Sequence, residues 1–188
     1  TYRVSATYAT GQPGLPGTFA IKLPAQDETV RERVTIGYRS EHAFYTGVAD
    51  RVQIPTPQCF HCEIANEGAD FVLLLADMAP AEQGDQIGGC TPDEARLAVA
   101  ALAGLHGPTW CDPAWADIPG VAMPKPDEAT ANGMGEVARM AADMTLDKRG
   151  PGMSPEDRDT LSAAMALVTP WLLVELNRFA LMHGDYRL

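Results

Sequence analysis

A lysine interrupts the apolar run Phe19-Ala-Ile-Lys-Leu23, and a glutamate, Glu41, interrupts the apolar stripe of a helix-like segment. Each is costly by itself, because an isolated buried charge needs a partner or a change of protonation. If the helix packs on the strand, the Lys22 ammonium and the Glu41 carboxylate offset one another. A second candidate closes the chain, where His183-Gly184-Asp185 follows a short apolar run. That placement presents an aspartate in a loop, where it can be aimed at a substrate hydroxyl and accept its proton. A third candidate, Cys59-Phe60-His61-Cys62, has the donor types and spacing of a zinc-ligand pair. No second such pair accompanies it. Alternation sets Phe60, Cys62 and Ile64 on one face and Cys59, His61 and Glu63 on the other, which reads as a half-buried strand with no metal.

The elements that must position these groups divide into two styles. Tyr2–Tyr8 and Phe19–Leu23 alternate as strands and flank Thr10–Gly17, a stretch dense in Gly and Pro, so they form a hairpin with a long, plain tip. Pro13 and Pro16 remove amides that a phosphate cradle would need. From Asp27 to Val52 the pattern turns helical, with Val30, Val34, Tyr38, Glu41, Tyr45 and Val48 on one stripe. Gln58–Ile64 and Phe71–Leu75 follow as strands. The economical arrangement is an antiparallel meander with one helix across it.

Beyond Ala76 the chain is a polar, Gly-bearing crossing and then helical. Thr91-Pro-Asp-Glu94 combines an N-cap, a proline at the first helical position and a reciprocal glutamate. Leu97, Ala98, Ala101, Leu102 and Leu105 form the expected buried stripe, stopped at Gly107-Pro108. Cys111–Asn132 is proline-broken. Helices are predicted near Met134–Leu146, with Met140 and Met144 filling core, and from Ser154-Pro-Glu-Asp157 to about Val168. Phe179–Met182 is expected as a short strand delivering His183-Gly-Asp185.

In order, these features resemble the protein-kinase-like phosphotransferases, in the branch of aminoglycoside, choline and ecdysteroid-type kinases. The resemblance rests on Phe19-Ala-Ile-Lys-Leu-Pro24, Glu41-His-Ala-Phe-Tyr45, Phe71-Val-Leu-Leu-Leu-Ala-Asp-Met78, Gly84-Asp-Gln86, Leu105-His-Gly-Pro-Thr-Trp110 and His183-Gly-Asp-Tyr-Arg-Leu188. It implies an α+β, two-lobed fold: an N-terminal nucleotide-binding lobe over 1–75, a hinge over 76–90 and a partial helical lobe over 91–188. It also implies that Lys22, oriented by Glu41, holds the α/β-phosphates of ATP. Backbone groups at Ala76 and Met78 would meet the adenine, with Leu75 behind them. Asp185 would orient and deprotonate the acceptor hydroxyl, and His183 would brace that loop.

Two departures qualify the expectation. The family's glycine-rich hairpin comes before the strand that here begins at Thr1, and its Mg²⁺-binding asparagine and aspartate are expected beyond residue 188. The chain therefore reads as part of a longer kinase, with negligible activity as these 188 residues alone. The activity implied is transfer of the γ-phosphate of ATP to a small-molecule hydroxyl. A kinase-like protein that binds nucleotide or a partner without catalysis is the alternative.

Lys and Arg total 14 against 25 Asp and Glu, a net charge of −11. That balance argues against nucleic-acid and anionic-membrane partners. With no membrane-length apolar run and four irregularly spaced cysteines, the expectation is a cytoplasmic protein with reduced thiols. The acceptor and the oligomeric state are not written in the sequence.

Overall fold

The computed structural model describes residues 1–11, 13–121 and 125–186. It is a mixed α+β protein whose strands are β1 (Tyr2–Ser5), β2 (Thr18–Lys22), β3 (Cys59–Ala65) and β4 (Asp70–Ala76). They form one antiparallel sheet in the order β1-β2-β4-β3. Five helices accompany it: α1 (Glu28–Gly47), α2 (Pro92–Thr109), α3 (Glu128–Arg149), α4 (Pro155–Ala166) and α5 (Val168–Leu173). Packing groups Thr1–Ala122 with Arg178–Leu188 as one unit and Met123–Asn177 as another. No helix among the described residues is long and apolar enough to cross a membrane.

Register explains what the sheet presents. Directly opposed residues of an antiparallel pair share a face. Lys22 opposes Leu73, which opposes Cys62 on its other side, and Ala20 opposes Leu75, which opposes Cys59. Both rows point toward α1. Tyr38, Phe71 and Leu73 are the buried centre of this layer, with Tyr45, Cys59, Cys62, Ile64 and Leu75 packed around them. The Tyr38 and Phe71 rings stack at 4.9 Å.

The α1 helix begins where Asp27 accepts a hydrogen bond from the Val30 N–H. Tyr38 and Val48 are buried and Glu41 and Tyr45 partly so, but Val30 and Val34 are exposed. The N-terminal half of the helix overhangs the sheet, so the stripe is covered only from Tyr38 onward. Its approach is fixed at two places. The Ala25 N–H donates to the Tyr38 hydroxyl at 3.0 Å, tying the end of β2 to the helix. Gly68, at φ +98°, lies so close that a Cβ there would sit 2.6 Å from Thr35 Cγ2.

The capping box at the head of α2 forms as the sequence predicts: Thr91 accepts from the Glu94 N–H, and the Glu94 carboxylate accepts from the Thr91 N–H at 2.7 Å. The stripe of this helix is shallower than expected. Leu105 is buried, whereas Leu97 is 73% exposed. The helix also continues through Pro108 to Thr109; the Gly104 carbonyl that this proline cannot bond accepts from the Gln53 N–H instead. In the same unit, Trp115 is buried beneath the Arg51 guanidinium, 4.1 Å from its ring.

In the Met123–Asn177 unit, α3 packs with α4 and α5. Small residues, Ala131, Gly135 and Ala142, make its buried face. Met140 and Met144 are more than half exposed rather than core, because close contact through small residues leaves long side chains on the outside. The helices start at Asp127 and Ser154, each accepting from the third residue onward.

Candidate functional site

Lys22 and Glu41 meet. The Lys22 ammonium donates to Glu41 Oε1 at 2.7 Å and lies 2.7 Å from Oε2 as well. Oε2 is out of solvent reach and has no hydrogen bond of its own, so the nearby ammonium is the charge that faces it. The lysine comes from the last residue of β2 and the glutamate from the middle of α1, so a strand and a helix must pack to make the pair. The two side chains keep 36% and 34% of their exposure. This corrects the expectation of a dehydrated pair. The carboxylate fixes the ammonium, which stays open to an incoming anion.

Behind Glu41 lies a group of neutral acids that sequence reading did not assemble. Burial pushes the Tyr45 phenol up to about 12, and the Glu41 charge, joined in alkali by the Cys59 and Cys62 thiolates, pushes the same way. Burial likewise pushes the Cys62 thiol up to about 11 and the Cys59 thiol upward. Cys59 and Cys62 share the α1-facing side because a bulge lies between Cys59 and His61. This overturns the strict alternation, which set Cys59 with His61. His61 points to the other side and contacts Glu63 at 3.2 Å. The tetrapeptide therefore does not converge on one point, and among the described residues no cluster of three or more His, Cys, Asp or Glu is arranged to hold a metal ion.

Ala76 closes β4 and Met78 lies two residues beyond it. The Ala76 N–H donates to the Gln58 carbonyl at 2.8 Å, and the Met78 carbonyl accepts from the Ala81 N–H at 2.9 Å. Leu75 is partly buried on the α1 side, two residues along β4 from the position facing Lys22. Between them Asp77, whose side chain is 15% exposed, accepts from Arg3 Nε at 2.5 Å and from the Ala79 N–H at 3.1 Å. Those bonds and one from the Thr18 hydroxyl hold its carboxyl below the usual carboxylate range. Sequence reading passed over Asp77. Its only signal is an acid placed directly after a buried strand.

His183 and Asp185 lie together but exposed. The Asp185 N–H donates to His183 Nδ1 at 3.3 Å, and the His183 ring meets the Tyr186 ring edge-on at 5.6 Å. The preceding residues do not form the expected strand. Instead, the Cys111 N–H donates to the Phe179 carbonyl at 2.8 Å and the Leu181 N–H to the buried Thr109 hydroxyl at 3.1 Å. These bonds seat the segment on the end of α2, and the Tyr186 hydroxyl adds a third tie to the Ala98 carbonyl at 2.8 Å. A lone segment satisfied by loop and side-chain partners does not need a ladder.

The structure thus brings Lys22 to Glu41, and His183 to Asp185, as two pairs on different elements of one unit. Comparison of the chain with models of protein families, with curated proteins and with solved structures finds no match.

Proposed function

We propose that this chain is the nucleotide-handling part of an ATP-dependent phosphotransferase with a kinase-like, two-lobed arrangement, acting on a small-molecule hydroxyl. The observation that supports the reading most directly is the 2.7 Å Lys22–Glu41 pair. A partly exposed surface pair contributes little to stability, in general about 0.2–1 kcal/mol, so its placement calls for another reason. Fixing a partly exposed ammonium is one, because phosphoryl transfer depends on holding charge in place.

In this reading Lys22 holds the α/β-phosphates and Glu41 orients it. Leu75 and the backbone of Ala76 and Met78 receive the adenine. Asp185 accepts the proton of the acceptor hydroxyl as its oxygen bonds to the γ-phosphorus and the bond to the β-phosphate oxygen breaks. His183 shapes the loop that carries Asp185. The metal ligands are expected beyond residue 188, and Mg²⁺ held there would neutralise charge on the phosphates.

The test is titration of the chain with ATP by calorimetry, in parallel with Lys22→Met. Binding that weakens at least tenfold in the variant is expected, and equal binding by both proteins overturns the reading. In the protein that carries this chain, Asp185→Asn is expected to abolish transfer to hydroxyl acceptors while ATP still binds. ATP binding with transfer to no hydroxyl would class the protein as a binding module instead.

A further inference from the structure

One face of the sheet carries both the Lys22–Glu41 pair and a second fixed charge. Thr18, Ala20 and Lys22 alternate onto the α1 side of β2, Leu73 and Leu75 do so along β4, and Asp77 comes directly after the end of that strand. Lys22 opposes Leu73, so Asp77 stands four strand residues farther along, about 13 Å at the rise of an extended chain. The floor between them is Ala20 and Leu75, one of them small. The strip therefore has a cation at one end, an apolar floor, and at the other end a backbone edge held by a carboxylate.

That carboxylate joins the segment after β4 to β1. It binds Arg3 of β1 at 2.5 Å and the Ala79 N–H beyond β4. Its side chain is 15% exposed although Arg3 is 63% exposed, so the acid is the enclosed member of the pair. It ties the residue after β4 to β1, beside the Phe19–Ala76 pair that already joins β4 to β2.

We infer that Asp77 is a positioning residue for the base end of the nucleotide: held by Arg3 and by the Ala79 N–H, it fixes the Ala76–Met78 backbone as the edge that a purine ring reads. The inference rests on the ATP-binding reading above. The clamp acts on the base and leaves the phosphates to Lys22, so the two ends are separable. A base contact is lost from ATP and does not exist in inorganic tripolyphosphate.

The experiment measures binding of ATP and of inorganic tripolyphosphate to the chain and to Asp77→Ala, Arg3→Ala, Arg3→Lys and Lys22→Met. Asp77→Ala is expected to weaken ATP at least tenfold while tripolyphosphate stays within twofold. Arg3→Ala, a change at an exposed side chain that leaves the fold in place, is expected to weaken ATP three- to fivefold, with Arg3→Lys recovering most of it. Lys22→Met weakens both ligands. Asp77→Ala and Arg3→Ala proteins that bind ATP like the parent overturn the clamp and leave the ATP reading standing, as does equal loss of both ligands. A parent chain that binds no ATP overturns the reading and the clamp with it.

Discussion

The Gln53 N–H donates to the Gly104 carbonyl at 2.9 Å, and a Cβ built on Gly104 would lie 2.7 Å from the Gln53 carbonyl carbon and oxygen. The segment that follows α1 therefore rests backbone-to-backbone on the middle of α2. The contact exists because residue 104 has no side chain. Gly104→Ala must push a main chain aside, which costs about 1–3 kcal/mol by the usual scale of overpacking. Gly107 has nothing within 4 Å of its missing Cβ, so Gly107→Ala is expected to stabilise by about 0.4–1 kcal/mol. Denaturant melts of the two variants are expected to move in opposite directions.

The Lys22–Glu41 pair predicts a separation between stability and binding. Both side chains are about one-third exposed, so Glu41→Gln is expected to change the unfolding free energy by less than about 1 kcal/mol. The same variant leaves Lys22 without its fixed counter-charge and is expected to weaken ATP several-fold. Leu73→Ala, at a site 1% exposed in the same row, reverses the pattern, with a loss of about 2–5 kcal/mol. Urea unfolding beside calorimetric binding distinguishes the three proteins.

Acid is expected to destabilise the chain through specific carboxylates. Hydrogen bonds from Ala79 and Thr18 hold Asp77 low, those from Thr91 hold Glu94 low, and those from Thr130 hold Asp127 low. A carboxyl whose folded pKa lies below its unfolded value contributes stability above the unfolded value and loses it as pH falls through the folded one. The loss thus begins near 4.5 for Glu94 and 3.8 for the two aspartates and continues below. Glu94→Gln and Asp127→Asn are each expected to flatten the melting temperature between pH 5 and 3, read by circular dichroism.

Alkali acts through Tyr45. Its phenol stays neutral to about 12 in the folded chain against an ordinary 10.0, so its contribution is present below pH 10 and lost as pH rises through 12. Phenolate absorbance at pH 11 is expected to report fewer than the five tyrosines of the chain, and Tyr45→Phe is expected to leave that absorbance unchanged.

Thiol chemistry gives a matching readout. Cys90 is exposed, whereas Cys62 is held as a thiol by burial and by its charged neighbours up to about 11. Because the thiolate is the reacting species, Cys62 is expected to react with a disulfide reagent at pH 8 roughly a hundredfold more slowly than an ordinary exposed cysteine. Mass spectrometry of partly labelled protein is expected to find Cys90 tagged first.

The sequence made the element types legible because local rules govern them. The cap at Thr91 and Glu94, the hairpin turns and the strand alternation are decided within a few residues. The Lys22–Glu41 pairing was legible for a different reason: two misplaced charges in neighbouring elements have few ways to be satisfied. What escaped was set from outside each segment. Periodicity marks the α1 stripe but not where the sheet beneath it ends, so Val30 and Val34 read as core and lie in solvent. The extra residue in β3 is fixed by pairing with β4, which alternation within β3 does not reveal. Phe179–Met182 has an apolar composition suited to a ladder, yet its partners are Cys111 and Thr109, and no strand forms. Asp77 escaped because its partners lie 74 and 59 residues away in sequence.

The bulge at Phe60 also divides responsibility along β3. On one side of it Cys59 faces Leu75, on the other Cys62 faces Leu73, and Phe60 swings out to meet the Phe19 ring edge-on at 5.2 Å. A single insertion in an uninterrupted ribbon would turn over every residue downstream of it. Here the irregularity absorbs one unmatched position, so Cys59 on one side of it and Cys62 on the other both stay in the inward row.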